Sequence, residues 1–71
     1  MYKLKCTASE FNFLLKTRML KRKDLAEITG ISESYISQIK KGRSVKKIVA
    51  YAMCKAICKN YEIEDLFVEN N

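Results

Sequence analysis

"KDLAEITGISESYISQIKKG", residues 23–42, decides the fold. Leu25, Ala26 and Ile28 mark a short amphipathic helix. Gly30 ends it, because glycine enters the left-handed conformation without a Cβ penalty. Ile31 turns inward, and Ser32 is a good N-cap for the next helix. Ile36 and Ile39, three apart, form the buried stripe of that second helix, which runs over about 33–41. Gly42 stops it, after Lys40 and Lys41 have set positive charge at the negative end of its dipole. Burial of the two isoleucines leaves Glu33, Ser34, Ser37 and Gln38 projecting outward. A helix built only to fold does not need that polar row followed by lysines.

Working outward, Phe11, Leu14, Leu15 and Arg18 fall at helical spacing, and the first three make an inward stripe. Thr7 or Ser9 caps that helix, which ends near Met19. Upstream of it, residues 2–6, "YKLKC", alternate apolar and basic at strand period and can pair with an extended segment such as 66–68. Downstream, Ser44 is placed to cap a fourth helix with Val49, Met53, Ala56 and Ile57 inward and Ala50 close by. Ile63, Leu66 and Phe67 form a last helical turn or two. No proline and only two glycines occur, which favours a mostly helical chain with short connections. The pattern predicts a five-helix bundle with room for one short strand pair.

A chain of 71 residues is expected to be a single domain, and one this small buries only roughly 60% of the surface it exposes when unfolded. Its 48% hydrophobic content is nonetheless enough to exclude disorder by composition. The N-terminus lacks the apolar region of a targeting peptide. The longest apolar run, residues 48–54, is far too short to span a bilayer. No membrane association is expected, and a cytosolic placement is. The three cysteines, Cys6, Cys54 and Cys58, fit a disulfide framework poorly. Without histidine they leave a tetrahedral zinc site one ligand short, so they read as small buried hydrophobes, and no metal or cofactor is expected. The net charge is +6, and it is polarised. Ten basic and three acidic residues lie between positions 16 and 47, whereas from 60 onward there are four acids and no bases. A concentrated basic region suggests a polyanionic partner.

Two short helices joined by a tight glycine turn are a helix-turn-helix, here over about 22–42. The stretch "LAEITGISESYISQIKKG" strongly resembles the Cro/CI (XRE-like) helix-turn-helix family, through Leu25, Ala26, Gly30, Ile31, Ser32, Ile36 and Gly42. The resemblance runs from about Phe11 to Phe67. It implies an all-α, five-helix lambda-repressor-like DNA-binding domain, and a small sequence-specific transcription regulator similar to phage Cro proteins. Such a protein works in the cytoplasm of a bacterial host cell and binds double-stranded operator DNA, usually as a homodimer. The N-terminal part of the second helix then enters the major groove. Glu33, Ser34, Ser37 and Gln38 become base readers. Gln38 can grip adenine through two hydrogen bonds, and Glu33 can accept from cytosine N4. Arg22 falls where the family often has a phosphate-binding Gln, and Lys41 and Arg43 flank the closing glycine, another usual phosphate-contact region. Tyr35 can touch a phosphate or a thymine methyl. Taken singly, Gln38 and the serines read as a solvated helix face; motif and charge together favour the reader role. The sequence departs from the family in lacking a proline after the recognition helix. It also lacks a frequent Arg–Glu pair, whose positions correspond to Leu15 and Lys40.

A second function fits the same surface. Small phage-type helix-turn-helix proteins include antirepressors that bind a phage repressor and modulate the lytic/lysogenic switch. Glu33, Ser34, Tyr35, Ser37 and Gln38 would then meet protein instead of DNA, and "YKLKC" could add to a partner's sheet. Enzyme activity has no support: there is no histidine, no glycine-rich phosphate loop, and no paired nucleophile and base.

Overall fold

The computed structural model describes residues 1–70. In chain order they form β1 (Tyr2–Leu4), α1 (Ala8–Thr17), α2 (Arg22–Thr29), α3 (Glu33–Lys40), α4 (Lys47–Ile57), α5 (Ile63–Leu66) and β2 (Phe67–Glu69). The five helices and the short terminal strand are those the sequence predicts.

Local chemistry sets the helix ends. Thr7, not Ser9, caps α1: the Glu10 N–H donates to Thr7 Oγ1 at 3.1 Å and the Thr7 N–H to Glu10 Oε1 at 2.8 Å. This reciprocal pair is a capping box, and it holds the Glu10 carboxyl below its usual range. α1 stops at Thr17, and Met19 takes a left-handed φ of 57°. At the start of α2 the Lys21 N–H donates to Asp24 Oδ2 at 2.8 Å. Gly30 closes α2 with φ 76°, its N–H donating to the Ala26 carbonyl at 2.9 Å. The Tyr35 N–H donates to Ser32 Oγ at 3.1 Å, which confirms Ser32 as the N-cap of α3. α3 itself closes one residue earlier than its sequence pattern suggests, with Lys41 as the cap.

The sheet joins the two ends of the chain. β1 runs antiparallel to β2 with Tyr2 opposite Glu69, Lys3 opposite Val68 and Leu4 opposite Phe67. On the other side of β1, Tyr2 and Val45 exchange two backbone hydrogen bonds of 2.7 Å. That bridge corrects the reading of Ser44. Val45 is drawn into extended backbone, so α4 begins only at Lys47, after Lys46, and no side chain caps it. Ser44 exchanges side-chain contacts with Asn70 instead. Phe67 is likewise the first residue of β2 and not the end of a helix, although it is buried as expected.

Phe11, Leu25, Ile36, Ile39, Ala50, Met53 and Cys54 have no exposed surface and form the centre of the core. On α4 the buried set is Ala50, Met53, Cys54 and Ile57. Val49 and Ala56 pack only partly, so the helix is turned slightly from the predicted phase. Ile28 points outward and is largely exposed.

Leu25 sits behind the helix pair with nothing exposed. Leu25→Ala should therefore destabilise by about 2–5 kcal/mol through the cavity it leaves. That is a large share of a total of roughly 5 kcal/mol in a small domain. Thermal melting followed by circular dichroism checks this; a melting temperature that barely moves would show the cavity argument to be wrong.

Candidate nucleic-acid interface

With Ile36 and Ile39 locked inward, α3 turns Glu33, Ser34 and Gln38 to solvent and leaves Ser37 and Tyr35 half-buried at its edges. These residues are not independent. Arg22, at the first position of α2, reaches across to α3. Its Nε lies 3.2 Å from Glu33 Oε1, and its Nη1 donates to Ser37 Oγ at 2.8 Å. Both charged side chains are about half exposed, 47% and 49%. The pair therefore contributes little stability, on the order of 0–1 kcal/mol. Its main effect is geometric, since it fixes one guanidinium against the opening of α3.

A second cluster runs from Tyr35 in the first turn of α3 to the segment after Gly42. The Arg43 guanidinium lies over the Tyr35 ring, 4.5 Å from its centroid. Arg43 Nη1 donates to Gln38 Oε1. The Arg43 backbone N–H also donates to the Gln38 carbonyl at 3.0 Å, which ties the residue after Gly42 back to the helix. Six of the eight residues singled out from sequence thus gather into two groups, Arg22–Glu33–Ser37 and Tyr35–Gln38–Arg43. Ser34 and Lys41 stand apart, with no side-chain hydrogen bond among the described residues.

Beside α3 runs a groove of about 320 Å³ lined by Ala8, Asn12, Arg22, Ser37, Lys40 and Lys41. Three cations and no carboxylate line it. Lys40 and Asn12 were not among the predicted contact residues. Lys40 had a signal, since it lies three residues beyond Ser37 on a helix and so on the same face. Asn12 comes from α1, and only tertiary packing brings it there.

The cysteines have a different character. Cys54 is fully buried, and burial, reinforced by the Asp65 carboxylate, pushes its thiol from the ordinary 9.0 up to about 11. Burial also raises the half-buried Cys6. Metal ligation and nucleophilic chemistry require the thiolate, which this environment disfavours. Cys58 is the extended residue that ends α4, so it does not continue the helical face of Cys54. Among the described residues no three His, Cys, Asp or Glu side chains converge as metal ligands, and no helix is long and apolar enough to cross a membrane.

A family model described as helix-turn-helix matches residues 14–63, well over half of the chain and inclusive of α2, the Gly30 turn and α3. No curated protein and no solved structure matches.

The Cys54 environment has a defined pH signature. The neutral thiol is favoured in the folded state, so its contribution to stability is full below about 9 and is lost as pH rises toward 11. Urea midpoints measured across that range should fall, and Cys54→Ala should flatten part of the fall. An identical slope in the variant would remove Cys54 as a contributor.

Proposed function

Since the chain belongs to the Cro/CI (XRE-like) helix-turn-helix family of DNA-binding regulators, we propose that it is a sequence-specific transcription regulator of phage or prophage type that lays α3 in the major groove of an operator. The observation that carries this reading is the cationic groove beside α3, where Arg22, Lys40 and Lys41 converge on the edge of a polar helix face. A phosphate backbone running along that edge would set the exposed face of α3 against base edges.

In this reading Arg22, Lys40 and Lys41 meet phosphates. Glu33, Ser34, Ser37 and Gln38 face the bases. Glu33 does double duty: it pairs with Arg22, which offsets the repulsion a free carboxylate would meet from phosphates, and its other oxygen is available to accept from cytosine N4. Arg43 and Tyr35, read from sequence as phosphate contacts, act through Gln38, to which Arg43 is bonded. The protein binds as a homodimer on half-sites about 34 Å apart, in the cytoplasm of a bacterial host cell.

The antirepressor reading keeps one supporting observation. The acids Glu62, Glu64 and Glu69 gather around one groove, with Lys47 and Tyr51 on its rim, and such an acidic surface can meet a basic partner. Two of its other supports weaken. Glu33 is paired with Arg22. β1 is paired along its length to β2, and Tyr2 on its outer edge is taken by Val45, which leaves little of that edge to offer a partner's sheet.

Gel shifts on the DNA flanking the gene, with and without any repressor encoded beside it, test the choice. Direct shifts by the protein alone support the regulator, and a shift seen only as loss of a repressor's own complex supports the antirepressor. Titration over a range of salt adds a finer check. Lys41→Ala should weaken binding on all sequences alike and flatten the dependence of log K on log salt by about 0.9. An unchanged slope would take Lys41 out of the interface.

A further inference from the structure

Glutamine is a versatile base reader because its side chain ends in one acceptor and one double donor. Adenine presents the matching pair in the major groove, an N7 acceptor and an N6 amino donor, so a free glutamine grips adenine with both ends. Gln38 is not free. Its Oε1 accepts from Arg43 Nη1. Arg43 in turn is held from two directions: its guanidinium rests on the Tyr35 ring at 4.5 Å, and its backbone N–H is bonded to the Gln38 carbonyl at 3.0 Å. Among the described residues Arg43 has no carboxylate partner, the one ion pair being that of Arg22 with Glu33.

One of the two lone pairs of Gln38 Oε1 is therefore taken inside the protein, and the cation that takes it stands beside the other. What this unit still offers is that second lone pair against the Gln38 amide N–H₂ and the remaining N–H groups of Arg43, so donors dominate it. Guanine is the base whose major-groove edge carries two acceptors, N7 and O6. Adenine would have to bring its N6 amino group to an oxygen already shared with the Arg43 guanidinium, whose bond is charge-assisted and of the stronger kind. Thymine offers a single acceptor beside a methyl group.

We infer that Gln38 and Arg43 act as one donor-rich unit, braced by Tyr35, that favours guanine at the base pair beneath the C-terminal half of α3. This rests on the proposed reading of α3 as the DNA-reading helix, and it names the base one of its positions takes. Arg43 is thus a specificity-determining residue and Tyr35 a positioning residue.

The test is selection of bound duplexes from a random-sequence pool by the wild-type protein, Gln38→Ala, Arg43→Ala and Tyr35→Ala, each first shown to be folded by its melting curve. The wild type should enrich guanine at one position per half-site, with discrimination over adenine of about 5- to 150-fold, the range of one good bidentate contact. Gln38→Ala should lose the preference at that position alone. Arg43→Ala, by releasing Oε1, should switch the same position from guanine to adenine. Tyr35→Ala should blur it without moving it. Adenine at the Gln38-dependent position in the wild type, or an Arg43→Ala preference unchanged from wild type, overturns the inference while leaving the DNA-reading role of α3 intact. A pool in which the wild type enriches no sequence removes the DNA-reading role itself, and this inference with it.

Discussion

Burial of Ile36 and Ile39 is the constraint on which the outer face of α3 depends. Neither side chain has any exposed surface, and β-branched residues in a helix have little rotamer freedom with which to adapt. The helix therefore cannot roll. Leu25 packs behind α2, and Gly30 supplies the only left-handed residue of the connection between α2 and α3. With position and rotation of α3 both set from the inside, Glu33, Ser34 and Gln38 face outward without contributing to that outcome. A surface positioned this way is free to carry chemistry that folding does not require.

What was legible in the sequence was what is local. Ser32, Gly30 and the Ile36–Ile39 spacing each act within a turn or two of themselves, and each does in the structure what its residue type predicts. The capping of α1 by Thr7 with Glu10 is equally local. The largest failures are long-range. Ser44 carries the chemistry of an N-cap, yet Val45 is captured by Tyr2 from the other end of the chain, and the helix starts later. Phe67 has the right burial and the wrong backbone, because β1 lies beside it. The same division runs through the candidate site. Arg22, Glu33, Gln38 and Arg43 could each be picked out by type and position. That Arg22 pairs with Glu33, and Arg43 with Gln38, depends on how α2 crosses α3 and how the chain leaves Gly42, which no local pattern encodes.

The two arginines of the face show how a guanidinium serves as more than charge. Each is held by at least two different kinds of contact: Arg22 by a carboxylate and a hydroxyl, Arg43 by an aromatic ring and an amide oxygen. Its planar fork of donors allows this, and a lysine at either position could not reproduce it. The exposed Lys41 makes no such contacts and acts as a mobile point charge. The face thus combines fixed cations, whose direction is defined, with a loose one that is free to follow a phosphate. The acids of α5 and β2 give the molecule a charge asymmetry that would orient it as it approaches a polyanion.

The terminal sheet has a consequence for how the molecule comes apart. In most small domains the two ends fray independently and cheaply. Here Met1 and Asn70 are themselves hydrogen-bonded, the Asn70 N–H donating to the Met1 carbonyl at 2.9 Å. Each end is the other's partner, so neither can peel away without freeing both. Closing so long a loop costs entropy that only the completed core repays, which makes this pairing a late event in folding. By the same logic it is an early event in opening. The step exposes Leu4, Val45 and Phe67 together, three apolar side chains that are otherwise almost wholly shielded. Opening at these strands is then the release of a clasp and not the wandering of a tail, and what it reveals is sticky rather than polar.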